Sequence, residues 1–345
     1  MQRRILYLHG DGLIREAVET LPEPAAHEIT VEIKASLISP GTEMVPVRAL
    51  RETPRPDAPP RTFGYAAAGI VRAVNGDGRG LVPGDRVAVM GPNARHADRV
   101  NVPVNLVAKL PEKVAFEEGA FACLGATALH ALRRAEPQLG DYILILGAGI
   151  VGNLAAQLAR IAGTHAMVWE TMPGRRKLAR RCGLAPVLDP SRADCAARAA
   201  AFAGNWGFDA AIFAFGGRAE AAFRQVEPVM KLSADGHRMG QIVLVGGCKL
   251  ELSGGAAGGN LDIRAAARTG PGYHDRNWEY GQDYPNAIVP YTTRRNLEEV
   301  LHLIAARRLR VRELITDRMP LGEADRAADL LLNTPDRAMG IVLQP

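Results

Sequence analysis

The stretch YILILGAGIVGNLAAQLARIA, residues 142–162, decides how the rest of the chain is read. Tyr142 to Leu146 is an apolar run with the length and side-chain type of a buried strand. Gly147, Gly149 and Gly152 follow at the spacing GxGxxG, and Val151 to Ala162 continues at helical spacing. A strand that turns on glycine into a helix leaves free N–H groups and the positive end of the helix dipole at the turn. The first glycine permits the tight turn, the second lets a pyrophosphate approach the backbone, and the third lets helix and strand pack closely. From these residues alone, a glycine turn that only packs a helix on a strand would read the same. The next segment separates the two. A second strand, Ala166–Trp169, ends at Glu170, 21 residues beyond Gly149. A carboxylate there accepts hydrogen bonds from both ribose hydroxyls of an adenosine and repels a 2′-phosphate. Gly147, Gly149, Ile150, Val151, Gly152 and Glu170 therefore point to NAD. Arg175 and Arg176 follow closely and have the reach for a 2′-phosphate, which keeps NADP open.

Outward from that stretch the pattern divides. The first hundred residues are β-rich: Ile29 to Ala35 alternates, and Ala66–Val74 and Arg86–Met90 are short apolar runs. Arg51 to Arg61 carries four prolines, which excludes a helix interior or a central strand and makes it a surface loop. From about Phe116 the period changes. Ala120–Arg134 is helical, and strand-like and helix-like segments then alternate. Beyond the quoted pair come Ala166–Trp169, a helix at Gly174–Cys182, and strands at Ala210–Phe215 and Gln241–Val245. Apolar strands alternating with helices imply a parallel sheet covered on both faces. Further helices are expected at Arg295–Arg307 and Gly322–Leu332, and Gly254–Gly259 reads as a loop.

The chain has 345 residues, 47% hydrophobic and 23% charged, which fits a two-domain globular protein. Lys plus Arg number 42 against 37 Asp plus Glu, a net charge of +5. The arginines are scattered and form no dense basic run, so nucleic acid is not an expected partner. The N-terminal apolar run is too short for a secretory signal, and Tyr142–Val151 is half the length of a membrane span, so no membrane is expected. Cys123, Cys182, Cys195 and Cys248 lie far apart with no CxxC, against a disulfide framework or a zinc ribbon. A soluble, reduced, cytoplasmic protein is the expectation.

Several motifs carry a wider likeness. Gly64 to Gly69 with Val71, Gly84-Asp85-Arg86-Val87, Gly125-Ala126-Thr127-Ala128, the GxGxxG, and Leu314-Ile315-Thr316 with Pro320-Leu321 stand in one order. In these the chain resembles the medium-chain dehydrogenase/reductase family, the zinc alcohol dehydrogenase superfamily. The resemblance implies an α/β chain with a GroES-like, β-rich catalytic domain from residues 1–119 and 275–345. A Rossmann domain with a doubly wound parallel sheet would be inserted at 120–274, and the cleft between them would hold nicotinamide and a small-molecule substrate. It also implies that Thr127 lies beside the nicotinamide, that Val245-Gly246 ends a strand lining it, and that the protein is a homodimer.

The departures from the family matter as much. Ser39, in Ser39-Pro40-Gly41-Thr42-Glu43, stands in the place of one ligand cysteine, and Tyr65 in the place of a ligand histidine. Only Cys123 matches a zinc ligand, and the cysteines of the structural zinc lobe are missing. A tetrahedral zinc needs three protein groups plus water, so no metal is expected, with Cys123 a small buried hydrophobe. The SPGTE segment resembles the zinc-free branch that includes bacteriochlorophyllide dehydrogenase-like proteins and dehydrogenases of sugar-like or cyclitol substrates. Gly270 to Asp275, Trp278 to Gly281, Asp283-Tyr284-Pro285 and Tyr291 to Leu297 are similar to a pattern in carbohydrate-associated members.

Oxidising a carbinol requires removal of the hydroxyl proton as well as the hydride. Zinc members polarise the oxygen with the metal; without it a side chain must hold or take the proton. The catalytic candidates are Tyr65, Glu43, His274 and Asp275, and Tyr273, Trp278 and His96 are candidate substrate contacts. Packing accounts for each as readily: a core tyrosine filling a vacated metal site, a cap or salt bridge at Glu43, a polar loop at residues 273–275, aromatic packing at Trp278. Adjacent residues on an extended chain face opposite sides, so His274 and Asp275 are not expected to share one substrate face. The leading expectation is an NAD-dependent, zinc-independent oxidoreductase that interconverts a secondary alcohol and ketone on a polyhydroxylated ring. A quinone or enoyl reductase, or a dinucleotide-binding protein without catalysis, are the alternatives.

Overall fold

The computed structural model describes residues 1–204, 206–252 and 259–345. They form two compact units, Met1–Ala126 together with Thr269–Pro345, and Thr127–Arg268. The boundaries expected at 119/120 and 274/275 fall instead at 126/127 and 268/269. The residues around Tyr273 thus fold with the chain ends. Among the described residues no helix is long and apolar enough to cross a membrane.

The Thr127–Arg268 unit is a six-stranded sheet in the order Val187–Leu188, His165–Trp169, Tyr142–Leu146, Ala210–Phe213, Met239–Val245 and Asn260–Ala266. Every pairing is parallel. The order reverses at Tyr142–Leu146, from which the chain first winds one way and then, from Ala210, the other. In such a sheet the crevice for a ligand lies beyond the carboxyl end of the strand at the reversal. Ile143, Leu144 and Ile145 are fully buried, as a strand covered on both faces requires. Leu144, Met167, Phe208, Phe213 and Ile242 share one core cluster, where each large side chain contributes roughly 1.5–3 kcal/mol by leaving water. Helices occupy Ile150–Ile161 and Pro173–Arg181, each one residue ahead of expectation. Asn260–Ala266 was not foreseen: it is an edge strand with mostly exposed side chains and carries no apolar run. The loop expected at Gly254–Gly259 lies outside the described residues except for Gly259.

The other unit is built on the ten-residue strand Glu28–Leu37. It pairs antiparallel with Ala66–Asn75, Arg99–Pro103 and Gly340–Gln344, while Ala66–Asn75 pairs with Arg86–Met90. A smaller sheet joins Ile14–Thr20, Gln2–Leu8 and Arg61–Thr62. The helix Pro40–Glu52 was not anticipated, because Pro46 inside it argues against one. Pro40 sits in the first turn, where its missing N–H costs nothing, and Met44 and Val47 bury against Ile38, Ile341 and Leu343. The prolines after Glu52 lie in coil, as expected. The last two expected helices occupy Thr293–Ala305 and Ala324–Asn333.

Candidate active site

The candidate residues fall into two sets, one in each unit. In the Thr127–Arg268 unit, Gly147 has φ +90°, and a Cβ there would lie 2.9 Å from the Ala214 carbonyl oxygen. A Cβ on Gly152 would lie 1.9 Å from the Gly147 oxygen, so only glycine lets the helix start this close to the strand. Gly149 differs. Its backbone is ordinary, φ −62°, and it caps Ile150–Ile161 without a side-chain bond. A Cβ on it would meet nothing nearer than Arg175 Nη1 at 3.9 Å. The loop is therefore tight on its inner side and open at Gly149, at a helix N-terminus with a guanidinium alongside. That is the cradle a pyrophosphate needs.

Glu170 is buried at the end of its strand. Its Oε2 accepts the Ala148 N–H at 2.6 Å and its Oε1 the Met172 N–H at 2.8 Å. Arg176 is committed elsewhere, to Asp189 at 3.0 Å and to the carbonyls of Glu170 and Thr171. Val245 is buried at the end of Met239–Val245, and Gly246 after it, φ +63°, has open space where a Cβ would be. Thr127, half-buried, opens the unit. These residues fit a dinucleotide.

In the other unit, Tyr65 is half-buried beside Ser39, Thr42, Glu43 and Cys123. Burial pushes its phenol well above the usual tyrosine range, reinforced by Cys123 and Glu43; the nearby Ser39 and Thr42 hydroxyls oppose this and do not win. Burial, with Glu43 nearby, likewise holds the Cys123 thiol protonated. Glu43, in the first turn of Pro40–Glu52, is buried. Its Oε2 accepts the Ser39 N–H at 2.7 Å, and its Oε1 lies 3.2 Å from His96 Nε2. His96 Nδ1 lies 2.8 Å from Ser36 Oγ. Gly64 makes this possible: with φ +107°, a Cβ on it would come within 2.2 Å of the His96 nitrogen.

No family model matches the chain. It is 32% identical over 191 residues to the 2-desacetyl-2-hydroxyethyl bacteriochlorophyllide A dehydrogenase of Rhodobacter capsulatus, covering 51% of this chain and 58% of that protein. It is 29% identical over 191 residues to the sorbitol dehydrogenase of Bos taurus, covering 47% and 53%. These matches span little more than half of either relative's length. Among solved structures, the 2R,3R-butanediol dehydrogenase of Bacillus subtilis superposes with a TM-score of 0.76 at 20% identity, over 99% of both chains. This likeness shows the fold that the chain shares with such dehydrogenases.

The three residues expected at zinc-ligand positions, Ser39, Tyr65 and Cys123, lie close together. Among the described residues, no group of three His, Cys, Asp or Glu is close enough to hold a metal ion. Three sequence expectations are corrected. His96 is fully buried between Ser36 and Glu43, so it is a partner of Glu43 and not a substrate contact. Trp278 is 1% exposed, packed on Gly272 and stacked on Tyr284 at 6.2 Å, which leaves no ring face for a substrate. Asp275 caps the turn Arg276–Glu279 through the N–H groups of Asn277 and Trp278 and accepts the Tyr284 hydroxyl; its carboxylate, held low by Tyr284, is a structural acceptor. His274 is exposed with φ +71°, its ring 4.0 Å from that of Tyr273. Sequence reasoning missed Ser36, Thr42 and Arg95 around the pocket. A periodic pattern gives no signal for side chains that meet from separate strands and loops.

Proposed function

We propose that this protein is a nicotinamide-dependent oxidoreductase that interconverts a secondary alcohol and a ketone on a polyhydroxylated substrate, without a zinc ion. The observation that carries the reading is Tyr65, held protonated among Ser39, Thr42 and Glu43 at the position where zinc members carry a ligand. A serine hydroxyl, a protonated phenol and a protonated thiol do not make the donor set a catalytic zinc requires. That the relatives are a sorbitol dehydrogenase and a 2-desacetyl-2-hydroxyethyl bacteriochlorophyllide A dehydrogenase supports an alcohol substrate.

A bound dinucleotide would supply the hydride donor or acceptor. In the reducing direction Tyr65 gives its phenolic proton to the carbonyl oxygen, and the Ser39 and Thr42 hydroxyls donate to the phenolate left behind. The oxidising direction is the reverse transfer and needs the phenolate, which burial and Glu43 disfavour, so it is expected to gain rate as pH rises and the phenol loses its proton to solvent. Glu43, fixed by His96 and the Ser39 N–H, raises the cost of keeping the phenolate and so favours return of the proton to the substrate oxygen. Thr127, Val245, Gly246 and His274 remain proposed contacts of nicotinamide or substrate. Glu170 favours NAD, since a 2′-phosphate would face its carboxylate; Arg175 beside Gly149 serves the pyrophosphate. A homodimer through the edge strand Asn260–Ala266, and a cytoplasmic setting, complete the reading.

The test is NADH formation at 340 nm across a panel of polyols, sugars and cyclitols, run beside quinone-dependent NAD(P)H consumption. Oxidation of a polyol, unaffected by chelator and without stoichiometric zinc in elemental analysis, is expected. Dinucleotide binding with no turnover on either panel would end the catalytic reading.

A further inference from the structure

Arg95 is half-buried, one residue before His96. Its guanidinium has a single side-chain hydrogen bond among the described residues, from Nη1 to the Gly64 carbonyl at 3.4 Å. Five N–H donors are available on that group, so most have no protein partner among the described residues. Other partly buried arginines have more partners: Arg3 pairs with Glu19, Arg51 with Asp325 and Arg176 with Asp189, and Arg86 donates to the carbonyls of Pro111, Glu112 and Val114. Arg95 has no carboxylate within ion-pair distance among the described residues. Glu43 and the phenol of Tyr273 act on it only at longer range. Glu43 cannot swing to it without giving up the Ser39 N–H and His96. Burial pulls its pKa below the usual arginine range, with Arg3 adding repulsion. A cation withdrawn from water with open donors is stabilised only when a counter-charge arrives.

The place of that counter-charge follows from the backbone. The guanidinium rests on the carbonyl of Gly64, and the next residue is Tyr65. Glu43 acts electrostatically on both the Arg95 guanidinium and the Tyr65 phenol, so the remaining groups of a small substrate held at Tyr65 would come within reach of Arg95. A planar fork of donors matches carboxylate or phosphate oxygens two at a time. We propose that Arg95 is the specificity-determining residue of this site and binds an anionic substituent, carboxylate or phosphate, carried by the polyhydroxylated substrate. The inference rests on the dehydrogenase reading for the word substrate, and its test separates the two.

Three probes share one carbon skeleton: glucitol, gluconate and glucitol 6-phosphate. Calorimetric binding to the NADH-loaded protein, and initial rates with the appropriate cofactor form, are measured for wild type, Arg95→Gln and Arg95→Lys, with melting curves to show that each variant folds. Wild type is expected to bind one anionic probe at least tenfold tighter than glucitol, and the tighter of the two names the anion. Arg95→Gln should lose that preference by about 10–100-fold while glucitol binding stays within about twofold, and Arg95→Lys should keep part of it. Equal binding of all three probes to wild type, or no binding of any, overturns the proposal. So does a folded Arg95→Gln that weakens glucitol as much as the anions. An anion preference lost in Arg95→Gln, with no turnover of any probe, upholds Arg95 as an anion site and overturns the dehydrogenase reading instead.

Discussion

Glu170 Oε2 accepts the backbone N–H of Ala148 at 2.6 Å, which ties the end of the second parallel strand to the middle of the glycine loop. The carboxylate that would read the adenosine ribose thus also holds the loop. Glu170→Ser shortens the side chain past both Ala148 and Met172. NAD affinity is expected to fall by about tenfold or more, at 1.4 kcal/mol per decade, and NADP to gain relative to NAD. Fluorescence titration with both cofactors checks this. An unchanged NAD/NADP ratio would contradict the role given to the carboxylate.

Gly149 and Gly152 should fail in different ways. Gly152→Ala drives a Cβ against the Gly147 oxygen, with a separation of 1.9 Å before relaxation. It should lower the melting temperature sharply. Gly149→Ala meets open space, so the fold should survive, with the melting temperature within a few degrees of wild type. Its methyl occupies the pyrophosphate's approach, and dinucleotide binding should weaken by about tenfold or more. Strong cofactor binding by Gly149→Ala would remove the loop from the site.

Tyr65→Phe removes the phenolic proton and keeps the ring. A fall in kcat of about 10²–10⁴-fold is expected, with dinucleotide affinity unchanged, because the loop lies in the other unit. A Tyr65→Phe enzyme that still turns over at the wild-type rate would show that another group moves the proton.

Alkaline stability depends on the same pocket. Cys123 and Tyr65 both hold their protons more tightly in the folded chain than their ordinary values of 9.0 and 10.0. Below 9.0 both states carry these protons and folding is indifferent to them. As pH rises past 9.0 for Cys123, and past 10.0 for Tyr65, the unfolded chain sheds protons that the folded chain keeps. The stability of the folded form then declines with each step. Melting temperature should therefore fall above about pH 9, and Cys123→Ala should flatten the early part of that fall. A pH slope identical in Cys123→Ala would assign the loss to other groups.

The parallel half of the fold was legible because each of its central strands is apolar on both faces and each is followed by glycine or a helix. Tyr142–Leu146 and Ile150–Ile161 needed no tertiary information. The edge strand Asn260–Ala266 was not legible, since half its side chains face solvent and its pairing comes only from Met239–Val245. The helix Pro40–Glu52 was hidden by Pro46, and tertiary packing of Met44 and Val47 outweighs that proline. In the proposed site, Tyr65 and Glu43 were singled out from the sequence by the motifs they stand in. The buried pairing of His96 with Glu43 and Ser36 depends on register between distant segments, and so does the isolation of Arg95. Trp278 and Asp275 misled because aromatic and carboxylate side chains serve packing and capping with the same atoms that serve a ligand.

The Thr127–Arg268 unit comes from one uninterrupted run, whereas its companion waits for Gly340–Gln344 to pair beside Leu37 and Ser36. On the ribosome, the parallel-sheet unit can therefore acquire its core soon after it emerges, while the unit bearing Ser36, Ser39 and Tyr65 stays open at one strand position. Until the carboxyl-terminal strand arrives, that gap exposes an unpaired sheet edge. Translational pausing or a disruptive substitution within residues 340–344 would then leave a chain competent to capture cofactor but prone to edge-to-edge aggregation.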